Sequence, residues 1–482
     1  MSKQEAMSVF DYVKNAYTVL GRDIMGSDFQ VGRMFTDKYD GLKISYRHYL
    51  QCLWEQPNQM VKVQAVLGDA MKKYHFHGDG GAQEVIYALA NDYKCVETQG
   101  NSGSRTMSIT MKGSAGRYVE CKLKEEVRSQ FNRLMPFVPE EETVTGYKEK
   151  RYIPTPLPLG LIAGTGMSMG VGMRNNLPAF TAKSLYQAYL KEDPSLLRLN
   201  YGYSLGTCWD EKSRFTHETN KITGKDLSDE KPTKENIEAL RTLWETGETS
   251  LNVGIPMYKC TIDGTDGFML VCDPALFTPK KSKKIEEWEA AGLIEVFDYS
   301  DEIGKMFFSL TPRTKKISLE DLRKEIYENC DIIKNLKYQV NIATGDITGK
   351  VGIGNWIDFT HHNYEKLYKE FIKSELKRLD KEEIVWYNFR AVVDLLIDKK
   401  AKHSDKEIVD LVNAKLDKGS KADKAHKISI EHVEFIGAKA YNTMRNSDPE
   451  DKLKKIEEER QKYKNMDIEK EIKAFVDCWQ NL

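Results

Sequence analysis

The chain has 482 residues, 30% of them charged and 10% aromatic, and 72 basic residues against 73 acidic ones leave a net charge of −1. That length supports two to four domains, each with its own core. A mean hydropathy of −0.56, with no apolar run approaching the ~20 residues that cross a bilayer, argues against a membrane protein.

The first ten residues, MSKQEAMSVF, lack the apolar centre of a secretory signal, and the eight cysteines include no Cys-x-x-Cys pair. Reduced cytoplasmic thiols fit this better than a disulfide framework or a zinc site. With so little net charge, any nucleic-acid surface must be a local basic lining.

In chain order, residues 1–30 read as a helical arm, with Val9, Phe10, Tyr12, Val13 and Tyr17 loosely at helical spacing. Residues 31–180 predict short helices over 44–56, 59–73 and 83–91, the last two separated by the turn Gly78-Asp79-Gly80-Gly81. Helices joined by a glycine-containing turn fit a helix-turn-helix or winged-helix unit. Residues 181–355 alternate apolar and polar positions, as over 257–262 and 267–271, and read as α+β.

From Thr360 the pattern is helical, with an apolar stripe at Leu367, Phe371, Ile372, Leu376 and Leu379 on a charged helix ending near Lys400. A second long helix opens at Ser447-Asp448-Pro449, where proline suits the first turn. Two charge-rich helices around an insert at about 401–445 predict an antiparallel coiled-coil stalk with a small globular tip over 356–482. An ordinary helical bundle is the plainer reading. The fold class expected is multidomain α+β.

The chemistry centres on Arg117-Tyr118, in GSAGRYVECKL. A free phenol has a pKa near ~10 and is a weak nucleophile at neutral pH. A neighbouring guanidinium favours the phenolate and can hold phosphate oxygens bidentately. Alone, the dipeptide is more often structural.

It has company, however: Gly32-Arg33, then Asp40-Gly41-Leu42-Lys43 with Arg47, then Lys73-Tyr74-His75-Phe76-His77-Gly78-Asp79. Ala82-Gln83-Glu84, Gln99-Gly100-Asn101 and the run from Gly164 to Pro178 complete the set. In this order and spacing the motifs, which cover residues 30–180, resemble the breakage–reunion subunit of type IIA DNA topoisomerases. The resemblance is greatest to the medium subunit of T-even-like phage enzymes.

The resemblance implies that Tyr118 attacks DNA phosphorus to give a 5′-phosphotyrosine link, with Arg117, Arg33 and Arg47 as the surrounding catalytic cations. It places Lys43, His75, His77 and Met169 against DNA and puts Gly80 and Glu84 at the positions that bind quinolone-type drugs in bacterial relatives. Lys43 also reads as a plain surface lysine. The His75/His77 pair also suits structural hydrogen bonds or two metal ligands.

Met169 stands where relatives carry an isoleucine that wedges between base pairs; the rival reading is a core methionine. Two departures are His48, where many relatives have a second arginine, and Ala65, where many have one in the preceding helix. For residues 181–355 the resemblance implies a tower-like domain, and for the stalk tip a homodimer contact.

Type IIA cleavage uses divalent metal held by an acidic cluster with an Asp-x-Asp motif, and the sequence contains no Asp-x-Asp and no GxxxxGK[ST] phosphate loop. Mg²⁺ and ATP are therefore expected on a partner subunit. The chain ends soon after the second stalk helix, and no DNA-wrapping domain of the gyrase kind is expected.

The function expected is that of the cleaving subunit of an ATP-dependent type II topoisomerase, working on double-stranded DNA in the cytoplasm (a host's, if the protein is viral). The main alternative is a non-catalytic, DNA-bridging winged-helix protein. A tyrosine recombinase fits less well, because no Arg…His-x-x-Arg set precedes Tyr118.

Overall fold

The computed structural model describes residues 35–74, 81–103, 113–143, 146–170, 173–300, 306–343, 348–396, 403–438 and 448–481. The expected arm over 1–30 lies outside the described residues. The chain divides into two compact units, one of residues 1–365 with 472–482 and the other of residues 366–471.

Near the start of the first unit stand three helices, α1 (Ile44–Glu55), α2 (Val63–Lys73) and α3 (Ala82–Asn91), which pack on one another. In α2 the buried positions Val63, Val66, Leu67 and Ala70 follow the three-and-four spacing of one helix face. Helix α1 ends at Glu55, and Gln56 is extended (ψ 151). Pro57 disfavours helical geometry in the residue before it.

The helix expected over 59–73 begins four residues later. Val61–Lys62 forms a short strand, β1, which pairs antiparallel with Cys121 and Glu120. With β2 (Val96–Gln99) and β3 (Glu120–Leu123) it makes a three-stranded sheet in which β3 is central.

The 257–262 and 267–271 segments are strands of a six-stranded sheet, Met257–Ile262 and Thr265–Cys272. They are joined by Asp263 and Gly264, both at positive φ (49° and 77°). An Asp-Gly pair is suited to such a two-residue hairpin turn. The glycine-rich 164–178 run folds as the hairpin Thr165–Gly170 with Met173–Leu177, inside a four-stranded sheet.

The earliest described strand, Thr36–Asp37, is completed from far along the sequence. It pairs in parallel with Ile342 and Ala343. Next to it, the Trp356 indole N–H donates to the Lys38 carbonyl at 2.8 Å, across 318 residues.

Helix α4 (Ile353–Leu396) contributes its first turns to this unit and the rest to the second. In the second unit it pairs with α5 (Pro449–Lys464), whose N-cap Asp448 accepts from the Glu450 N–H with proline at the first position, as expected. Phe371 meets Tyr463, Arg378 pairs with Glu459, and Arg390 lies 3.9 Å from Asp448. Residue numbers rise on one helix as they fall on the other, so the two run antiparallel.

Between them, helices Asp405–Asp417 and Ile430–Ala438 close a small core with α4 around Val385, Phe389, Val392, Ile408, Val412, Val433 and Ile436. The final helix, α6 (Ile468–Asn481), returns to the first unit, where Phe475 is fully buried with its ring 6.0 Å from that of Tyr364.

Candidate active site

Tyr118 sits at the end of a tight turn immediately before β3. Its own N–H donates to the Ala115 carbonyl at 2.8 Å, and Val119, the next residue, is completely buried. Tyr118 itself is 65% exposed, the most exposed large hydrophobic side chain among the described residues. The chain thus passes from two exposed residues of the turn, Arg117 and Tyr118, directly into the buried Val119.

Arg117 lies with its guanidinium carbon 4.8 Å from the Tyr118 ring centre. A hydrogen bond from that guanidinium and then its charge hold the phenol below its ordinary pKa. Both residues are in water, so this is a bias toward phenolate and not a stability device.

The turn is tied from beneath on two sides. Two N–H groups at the start of α2, which have no partner inside the helix, are taken by the turn: Val63 donates to the Val119 carbonyl at 2.9 Å and Gln64 to the Gly116 carbonyl at 3.2 Å. From α3, the Gln83 amide and the Tyr87 hydroxyl also reach the turn. Gly100 (φ +108) allows the end of β2 to pass against the Tyr118 carbonyl, and an added Cβ would lie 3.3 Å from it. Gly100 and Asn101 thereby gain a structural reason, since the Asn101 carbonyl accepts from Ser114 N–H at 2.8 Å.

The other expected site residues fall into distinct settings. Arg47 is only 6% exposed. Its guanidinium is bidentate to Asp40, at 2.8 and 3.2 Å, and 3.4 Å from Asp37. Burial pulls the Arg47 pKa down, but the attraction of Asp40 and Asp37 outweighs it and raises it above normal.

Asp40, fully buried, also accepts from the Leu42 and Ile153 N–H groups, and Gly41 (φ +72) lies where any Cβ would meet the 158–160 backbone at 2.9 Å. The Asp40-Gly41-Leu42 motif is thus an internal joint, with Arg47 as its counter-ion. His48 is likewise buried, 2.9 Å from Glu149 and stacked on Tyr74.

Lys43, half-buried before α1, has no ion-pair partner among the described residues, and burial lowers its pKa. Glu84 is exposed in the first turn of α3.

Arg33, His75, His77 and Gly80 lie outside the described residues. Met169 has a described backbone, paired with Arg174, but its side chain is outside them. At the Tyr118 turn, Glu120 is engaged by Lys62 at 2.8 Å. No group of three carboxylate, histidine or cysteine ligands converges there among the described residues.

The Ala82-Gln83-Glu84 motif by itself gives Gln83 no role. The signal for one is its position four before Tyr87, which puts both on one face of α3.

Residues 33–205 match the family model for the A-type subunit of DNA gyrase/topoisomerase IV. The A-type subunit of DNA topoisomerase 4 from Staphylococcus aureus (strain NCTC 8325 / PS 47) is 25% identical over 358 residues, which are 69% of this chain and 41% of that protein. The A-type subunit of DNA gyrase from Haemophilus influenzae is 32% identical over 162 residues, 31% of this chain and 18% of that protein. The chain therefore spans less than half the length of these relatives, and the likeness it carries is to the A-type subunits of type IIA topoisomerases.

Proposed function

We propose that this chain is the DNA-cleaving and religating subunit of a type IIA topoisomerase, of the kind represented by the phage medium subunit. The observation that carries the reading is Tyr118, exposed on a turn held from two sides, with Arg117 against its ring. The Tyr118 oxygen attacks a backbone phosphorus and loses its proton to solvent. The bond to the 3′ oxygen breaks, and that oxygen leaves as a hydroxyl after taking up a proton. One phosphodiester is exchanged for another, so religation needs no fuel.

Arg117 meets the charge developing on the non-bridging oxygens, and Lys43 grips the backbone. Arg33, His75 and His77 would complete the cationic surface on the winged-helix unit formed by α1–α3 and the small sheet. Met169 would wedge into the duplex. Mg²⁺ and ATP belong to a partner subunit. Two copies, joined at the tip of the stalk where Leu411 and Ile430 are 42% and 45% exposed, would cut opposite strands. Such a protein would work in the cytoplasm with its DNA.

The test is denaturant-trapped cleavage of supercoiled DNA by the chain, purified partner and magnesium. Linear DNA covalently bound to this chain is the expected product. Its absence, with DNA binding retained, would favour the DNA-bridging alternative.

Two further outcomes follow from the electrostatics. Arg117→Gln removes the group that biases Tyr118 toward phenolate. Its single-turnover cleavage should fall by roughly a hundredfold near neutral pH and recover as pH rises, with the profile displaced to higher pH than in wild type. Lys43→Gln should weaken binding to all duplexes alike and reduce the slope of log affinity against log salt by about one. An unchanged slope would return Lys43 to the plain surface.

A further inference from the structure

The Gln83 side chain is half-buried on the first turn of α3 and makes two hydrogen bonds to one loop. Its Nε2 donates to the Ser114 carbonyl at 3.0 Å, and its Oε1 accepts from the Gly116 N–H at 2.6 Å. The amide engages residues two apart on the same side of the chain, as a neighbouring strand would. Only one of the two amide orientations satisfies both partners, since the flipped form would set oxygen against carbonyl and N–H against N–H.

One helical turn later, Tyr87 donates its hydroxyl to the same Ser114 carbonyl at 2.6 Å. Its ring lies where a Cβ on Gly113 would come within 2.3 Å of it. From the opposite side, Gln64 N–H holds the Gly116 carbonyl. Both polar groups of Gly116 are therefore fixed by different helices, N–H by α3 and C=O by α2, two residues before Tyr118.

We propose that Gln83 is a positioning residue for the Tyr118 nucleophile, its carboxamide setting the height and direction of the turn that presents the phenol to a scissile phosphate. This rests on the reading of Tyr118 as nucleophile. Tyr118 is 65% exposed, and Arg117, which lies against its ring, belongs to the same turn. Its aim is therefore the aim of the turn, and misplacement by about an ångström can cost on the order of a hundredfold in rate. The substrate contact remains with Tyr118 and Arg117; Gln83 acts through the backbone.

The experiment uses the full chain with its partner subunit, magnesium and a nicked duplex from which the cleaved end diffuses away, so that single-turnover adduct formation is read directly. DNA affinity and thermal melting are measured alongside. Gln83→Met keeps the shape and loses both hydrogen bonds. It should slow adduct formation by roughly tenfold to a hundredfold, leave affinity within about twofold and leave melting unchanged.

Gln83→Glu keeps an acceptor for Gly116 but loses the donor to Ser114, and its carboxylate faces a carbonyl oxygen. It should be as slow as Gln83→Met at pH 8. Relative to wild type it should gain rate as pH falls, because the protonated carboxyl donates again. A merely structural glutamine would not give that recovery.

Gln83→Met cleaving at the wild-type rate, or losing only affinity or melting temperature, would overturn the positioning role alone. Adducts formed by Tyr118→Phe, or none formed by wild type, would overturn the parent reading and this one with it.

Discussion

Tyr118→Phe is expected to abolish covalent protein–DNA adducts while leaving noncovalent DNA affinity within about twofold. The substitution removes one oxygen from a side chain that is 65% exposed and keeps the ring that Arg117 lies against, so neither fold nor surface charge changes. The loss should exceed that of any other single substitution, because phenylalanine offers no atom that can form the phosphodiester. Removing a nucleophile from a concerted site typically costs many powers of ten. The measurement is detergent-trapped adduct on radiolabelled duplex, beside a filter-binding isotherm. Adducts that persist would move the nucleophile to another residue.

Arg47→Leu should destabilise the first unit by roughly 3–5 kcal/mol, the typical result of removing one partner from a buried ion pair. Arg47 and Asp40 are 6% and 0% exposed and bonded at 2.8 Å. Burial already pushes the Asp40 carboxyl upward against the pull of Arg47, and without Arg47 that push, joined by the nearby Asp37, is opposed only by the backbone N–H donors to the carboxylate. A carboxyl whose folded pKa lies above its unfolded value favours the folded state at low pH and loses that advantage as pH rises through the folded pKa. The deficit of Arg47→Leu should thus be smaller at pH 5 than at pH 8, as read by thermal melting, and Asp40→Asn in the same chain should recover part of it. Unchanged melting with lost DNA affinity would return Arg47 to the phosphate-contacting role its motif suggests.

That contrast shows where sequence was informative. The helix over 59–73 and the strands over 257–262 and 267–271 were legible because their own apolar residues carry the period, as Val63, Val66, Leu67 and Ala70 do on one face of α2. Strand β1 was not legible. Two residues carry no period, and their partners Cys121 and Glu120 lie some sixty positions away.

At the site, residue type was visible and burial was not. Arg47 and Lys43 are both cations near one motif, yet one is enclosed by two aspartates and the other has no acidic partner among the described residues. The hydrogen bonds of Gln83 to Ser114 and Gly116 join residues 31 and 33 positions apart. No local pattern encodes such a pairing.

The pairing of Thr36–Asp37 with Ile342 and Ala343, and of Lys38 with Trp356, bears on how the protein is made. A ribosome adding roughly 5–20 residues per second delivers Trp356 about 15–60 s after Lys38. Through that interval the segment around Thr36 has neither its strand partner nor its indole. The Asp40 joint, completed by Ile153, can close much earlier. Nascent chains arrested before residue 340 should therefore hold the α1–α3 bundle while leaving the Thr36 edge open to chaperones or to another strand.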